Sequence, residues 1–342
     1  NTFLRLPPRE IGRVALPDLE PQGVALAANR KVIVAGGPGG VAVVDLAGLP
    51  QPRVVREIKF PGWDTLAVAA AGAIAFVANR RILDGELVTL DVETGAVLGR
   101  VALPGRFLEV LQLDGDHVYG LSIRTLEVFS LEPSPRHLST SPIDPSGQVF
   151  GRGLTVARNL AVVSESPSPT ELKFRVLDLS DPPNPTQLVR TQSGLDAFNT
   201  RALTLDPAGN LVTHSLGPNR TNFLNVFDLR DPTQPALSSS VQLDGLGSRG
   251  PTALSVYGGQ AYAVTERDLQ VVNYVVADSA GVAPTLSLSA SFSLATPQAE
   301  EGQLVRVTAT ANDDVQVRQI DWFLDGQKVL TQGNVPFDFR FQ

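Results

Sequence analysis

The chain has 342 residues, 28 basic and 35 acidic, for a formal charge of −7, and it contains neither cysteine nor methionine. That length exceeds one ordinary core and points to two domains or a repeat array. The acidic balance lacks the phosphate-neutralising footprint of a nucleic-acid binder, absent cysteine removes thiolate chemistry and disulfides, and no apolar run approaches the roughly 20 residues of a membrane helix.

In chain order, the first recognisable element is GRVALP at Gly12 to Pro17, whose six residues recur at Gly99 to Pro104. A longer period follows. An apolar strand ending in Asp before a turn starts at Val41, Leu87, Phe174 and Asn225, with degenerate copies at Leu126 and Leu269. Aligned on the last strand position, the copies fall at Asp45, Asp91, Ser130, Asp178, Asp228 and Asn273, separated by 46, 39, 48, 50 and 45 residues. A period of that size signals a repeat architecture. Each unit has two earlier strands joined by turns such as Asp-Gly-Asp and Gly-Gly-Gln, and the Asp turn leads to a fourth, more polar strand. Four short strands per unit predict a blade of a β-propeller.

The expected fold is therefore all-β: a six-bladed β-propeller over residues 1–276, closed by its own N-terminal strand. The sixth unit lacks a fourth strand, and residues 11–17 supply one, so that neither terminal blade keeps an open edge. Residues 277–283 read as a linker. Residues 284–342 read as a partial β-sandwich, with alternation at Val305 onward, an Asn-Asp-Asp turn at Asn312 to Asp314 and an aromatic strand ending at Asp325-Gly326. A full sandwich takes about seven strands over roughly 100 residues, so this one is expected to be a piece of something longer.

Two resemblances rest on these residues. VLDLSDPPNPTQLV from Val176 and VFDLRDPTQPAL from Val226 resemble the LVIVD-type propeller repeats of bacterial exported and surface proteins. The segment from Pro284 looks like a bacterial immunoglobulin-like domain of the kind found in tandem on such proteins. The resemblance implies an extracellular or cell-surface location, with any leader already removed. It also implies partners that are proteins, glycans or further copies of the chain. The repeat Asp is read as a turn cap and not as a site.

Chemistry-bearing residues are sparse. The histidines, His117, His137 and His214, share no metal-ligand spacing and read as structural. Gly36 to Gly40 joins two strands, lacks the helix of a phosphate loop and reads as a flexible hairpin tip. The candidate metal ligands are Glu301, Asp313 and Asp314, carboxylates that could converge on Ca²⁺ at one end of the sandwich. No catalytic or cofactor-binding set is identified. The leading expectation is a non-catalytic extracellular scaffold or interaction module, in an adhesin, filament or matrix. The alternatives are a calcium-dependent, lactonase-like propeller hydrolase and a sensor head for a small ligand.

Overall fold

The computed structural model describes residues 14–16, 18–48, 51–144, 146, 150–165, 173–192, 198–206, 208–217, 221–246, 253–257, 259–264, 269–274, 281–291, 305–313, 317, 319–333 and 337–341. Among them there are strands and turns and no helix. Five four-stranded antiparallel meanders and one three-stranded meander follow one another, each built from strands consecutive in sequence. The first contains β1 (Gly23–Ala27), β2 (Lys31–Ala35), β3 (Val41–Asp45) and β4 (Arg53–Ile58), and the second β5 (Asp64–Ala71), β6 (Ile74–Arg81), β7 (Asp84–Asp91) and β8 (Val97–Leu103). The third contains β9 (Val110–Asp114), β10 (His117–Leu121), β11 (Thr125–Ser130) and β12 (His137–Pro142), and the fourth β13 (Gly151–Ala157), β14 (Leu160–Glu165), β15 (Lys173–Asp178) and β16 (Thr186–Gln192). The fifth contains β17 (Phe198–Leu205), β18 (Asn210–Leu216), β19 (Thr221–Asp228) and β20 (Ala236–Leu246), and the sixth β21 (Ala253–Tyr257), β22 (Gln260–Val264) and β23 (Leu269–Asn273).

The chain divides into two compact units, Asn1–Leu111 with Glu132–Arg136, and Gln112–Leu131 with His137–Gln342. Within each unit the first strands of successive sheets pack side by side, β1 on β5, then β13 on β17 and β17 on β21. Their apolar faces close on each other. Ile33, Val41 and Val43 meet Val68, Val77 and Val88 between the first two sheets. Phe174 and Val176 meet Leu203 and Phe227 between the fourth and fifth, with the two phenylalanine rings edge to face at 5.1 Å. A four-stranded sheet cannot bury its own faces, so each sheet depends on its neighbours for removal of apolar area from water.

The repeat Asp behaves as its sequence predicts. Asp45, Asp178 and Asp228 each accept the backbone N–H two residues on, at 2.8, 2.8 and 2.9 Å, and Asp91 accepts that of Thr94 at 2.7 Å. A regularity the sequence does not announce sits beside it. In all five four-stranded sheets the pairing of the third with the fourth strand slips one and two residues before the repeat position, at Val43/Val44, Thr89/Leu90, Val128/Phe129, Val176/Leu177 and Val226/Phe227. Such a bulge adds twist. It turns the outer strand at the same height in each sheet.

Gly36 to Gly40 is not a flexible tip. A Cβ at Gly39 would stand 2.1 Å from the Asp18 carbonyl oxygen, and one at Gly40 2.1 Å from that of Ile58. Gly37 exchanges backbone hydrogen bonds with Thr65 of β5 at 3.0 and 2.8 Å, joining the first two sheets. The segment is glycine-rich because backbone from three other segments, at Asp18, Ile58 and Thr65, approaches it closely.

Val14, Ala15 and Leu16 belong to no strand, while Gly12, Arg13 and Pro17 lie outside the described residues. The matching hexamer at Gly99 to Pro104 has its first five residues in β8, the fourth strand of its sheet. After the sixth sheet come β24 (Thr285–Ala290), β25 (Val305–Asn312) and β28 (Asp338–Phe341), paired in that order, and a hairpin of β26 (Ile320–Leu324) with β27 (Gln327–Gln332). Their shared core is Ala309, Val317, Trp322 and Phe337.

Candidate functional site

Polar side chains enter the sheets in connected rungs. In the second sheet one rung crosses all four strands: the Thr65 hydroxyl donates to Asn79 Oδ1 at 2.9 Å, Asn79 Nδ2 to Glu86 Oε1 at 2.9 Å, and Arg100 Nη1 to both Glu86 oxygens at 2.8 and 2.9 Å. In the third, buried Glu127 accepts from Thr125 at 2.6 Å and Thr140 at 2.7 Å, and lies 2.7 Å from His137 Nε2. In the fourth, Arg175 pairs with Glu165 and reaches Gln187 at 2.7 Å and Asp144 at 3.2 Å, while Arg190 holds the other Glu165 oxygen at 3.0 Å. In the fifth, Asn225 bonds Ser215 and Ser240, each at 2.7 Å. A buried carboxylate needs such partners. These acids join the strands of their own sheets.

A cleft of about 400 Å³ lies in the second unit, where the β13–β14 and β17–β18 turns face the C-terminal strands. Arg158, Asp206 and Arg230 stand on one side and Asn312, Asp313 and Val317 on the other. Burial raises the Asp206 carboxyl above its usual range, against donors from the Asn210 side chain and backbone, both at 2.8 Å, and the Tyr274 hydroxyl at 3.0 Å. Arg230 is gripped by Asp228 through three hydrogen bonds of 3.1, 3.0 and 2.5 Å. Of the candidate calcium ligands, Asp313 lines this cleft, whereas Glu301 and Asp314 lie outside the described residues.

The same unit holds the joint with the C-terminal strands. Arg340 Nη2 donates to the Gly115 carbonyl at 3.3 Å, Arg306 lies 3.5 Å from Asp116, and both arginines hold Asp338, at 2.6 and 3.0 Å. The Asp-Gly-Asp turn is thus a receptor for two guanidinium groups. Burial lowers the pKa of Arg340 below the usual guanidinium range and raises that of the nearby Asp114 carboxyl. It also lowers His117, which opens β10 beside them. His214 is buried in β18 and His137 leans on Glu127, so all three histidines sit within the sheets.

In the first unit, the hairpin of β6 and β7 ends in the two-residue loop Ile82-Leu83, flanked by the pair Arg81–Asp84. Ile82 has φ 59°, a position in two-residue hairpins where glycine is the ordinary occupant. The strain of a β-branched residue there is on the order of 1–3 kcal/mol. Both side chains face water, 86% and 67% exposed. Arg81 stacks over the Trp63 ring at 5.0 Å, and Arg80 over Phe107 at 5.2 Å while bonding Asp64 at 3.2 Å. Asp84 accepts the Gly105 N–H at 2.8 Å, which braces the hairpin base.

No family model matches the chain, and no curated protein resembles it in sequence. Solved structures do resemble its fold. A protein of unknown function from Desulfotomaculum acetoxidans matches over 68% of this chain and 71% of its own, at 14% identity and a TM-score of 0.54. A candidate 6-phosphogluconolactonase from Bacteroides uniformis matches over 76% of this chain and 82% of its own, at 15% identity and a TM-score of 0.61. The Dos1 propeller covers 71% of this chain and 64% of its own at 15% identity, with a TM-score of 0.48. The fold is a β-propeller. At such identities the likeness speaks of the fold alone, and the successive four-stranded meanders support the same architecture.

Proposed function

We propose that the chain is a non-catalytic interaction module of a bacterial surface protein, acting outside the cell in adhesion, a filament or a matrix. In this reading the propeller has six blades, with residues 11–17 pairing beside β23, and residues 284–342 form an immunoglobulin-like sandwich. Its partner is a protein, a glycan or a second copy. The observation that carries the proposal is the use of the buried polar groups: Glu86, Glu127 and Glu165 each tie strands of one sheet together and are engaged from at least two sides. Side chains so held stiffen a frame, whereas a general acid or base needs an approach for substrate. The arginine joint at Gly115 and Asp116 supports the same reading, since it couples the C-terminal strands to the third sheet.

The test measures retention of the purified chain on immobilised cell-wall and matrix polysaccharides and on itself, in parallel with hydrolysis of 6-phosphogluconolactone and simpler lactones. Retention without turnover is the expected result. Turnover above a heat-inactivated control, abolished by a chelator, would overturn the proposal in favour of a hydrolase. Calcium at Glu301, Asp313 and Asp314 is a separate part of the reading: millimolar Ca²⁺ is expected to raise the melting temperature, and Asp313→Ala to remove that rise.

A further inference from the structure

The β6–β7 tip is disfavoured twice by folding alone. Ile82 is β-branched at a positive φ of 59°, and it is 86% exposed beside Leu83 at 67%. Glycine would relieve the backbone, and serine or asparagine would relieve the exposure. Neither is present, and folding alone gives no reason for the pair. We propose that this tip docks on an anionic lipid surface, with Ile82 and Leu83 entering the acyl boundary and the Arg81 guanidinium meeting lipid phosphate.

The kind of partner follows from shape and chemistry. The tip ends in two adjacent exposed aliphatic side chains, which suits insertion between lipids. Arg81 forms no ion pair among the described residues and is held over the Trp63 indole at 5.0 Å. A cation on an aromatic face, next to aliphatic residues, is the combination that settles at a water–hydrocarbon boundary. The hydrogen bond from the Gly105 N–H to Asp84 and the Arg80–Asp64 pair fasten the base of the hairpin. The chain's formal charge of −7 opposes approach to an anionic surface at long range. At about 0.15 M salt that repulsion is screened beyond roughly 8 Å, while the Arg81–phosphate contact is shorter than this. The inference stands apart from the proposed scaffold function and neither requires the other.

The experiment sediments the full chain at 0.15 M salt with vesicles of phosphatidylcholine alone and with vesicles containing one third phosphatidylglycerol. Binding to the second and much weaker binding to the first is expected. The double substitution Ile82→Ser with Leu83→Ser is expected to weaken binding about tenfold or more, the scale of one lost apolar contact. Arg81→Gln is expected to remove the preference for phosphatidylglycerol. Circular dichroism and melting of each variant distinguish a lost contact from a lost fold. A second variant, Ile82→Gly alone, is expected to melt higher than the native chain and bind vesicles more weakly. Absence of sedimentation with either vesicle, including the case in which the tip instead binds a protein, overturns the proposal, as does undiminished binding by the serine pair.

Discussion

At the scale of single residues, the repeat Asp does a local task that substitution can isolate. Asp178→Ala removes the acceptor of the Ser180 N–H and is expected to lower stability by about 1 kcal/mol, read as a drop in the urea midpoint. At Asp228 the Arg230 side chain holds the carboxyl below its ordinary range. A lowered folded-state value means stabilisation that is present above the unfolded carboxylate value of ~3.9 and is lost as pH falls through the folded one. The difference in midpoint between the native chain and Asp228→Asn is therefore expected to hold from pH 7 to 5 and to shrink below about 4. Glycines separate in the same way. Gly39→Ala places a methyl against the Asp18 carbonyl and is expected to abolish soluble expression, whereas Gly62→Ala, with φ 79° and open space around it, keeps the fold. The Asp turns were legible because cap and acceptor lie two residues apart. The glycines were misread because what crowds them, Asp18 and Ile58, comes from other parts of the chain.

At the scale of elements, hydrophobic alternation and turn chemistry were enough to place strands, since both are written within a few residues. The second strand that the sequence places in each of the six units is present, beginning at Lys31, Ile74, His117, Leu160, Asn210 and Gln260. The rungs were not legible, because Thr65, Asn79, Glu86 and Arg100 meet only after pairing sets the register. The Glu165–Arg175 pair allows a test of what a rung contributes. Removing one buried partner strands the other charge, so Arg175→Met is expected to cost about 3 kcal/mol or more by chemical denaturation. The double variant with Glu165→Leu is expected to recover part of that loss. Equal and additive losses in the cycle would show that the pair is not coupled.

At the scale of the whole molecule, the period of the repeat points to a propeller, and the sheets agree with it. The joint with the C-terminal strands was invisible to sequence reading, since Arg340 and Gly115 are 225 positions apart and the Asp-Gly-Asp turn reads only as a hairpin. Calorimetry is expected to show it. Arg306→Ala with Arg340→Ala should split a joined transition into two, the first belonging to the C-terminal strands, and should speed proteolysis before Thr285. One merged transition in the double variant would mean that packing, and not these arginines, couples the parts.

Because, among the described residues, every strand of the six successive meanders pairs with the strand made just before or after it, a growing polypeptide can pair those strands soon after the last of each sheet leaves the ribosome. Loop closures are short, so local steps are fast, and the slow event is stacking one finished sheet on the next. Synthesis order then becomes assembly order, and at every moment the aggregation hazard is confined to the uncovered flank of the newest sheet.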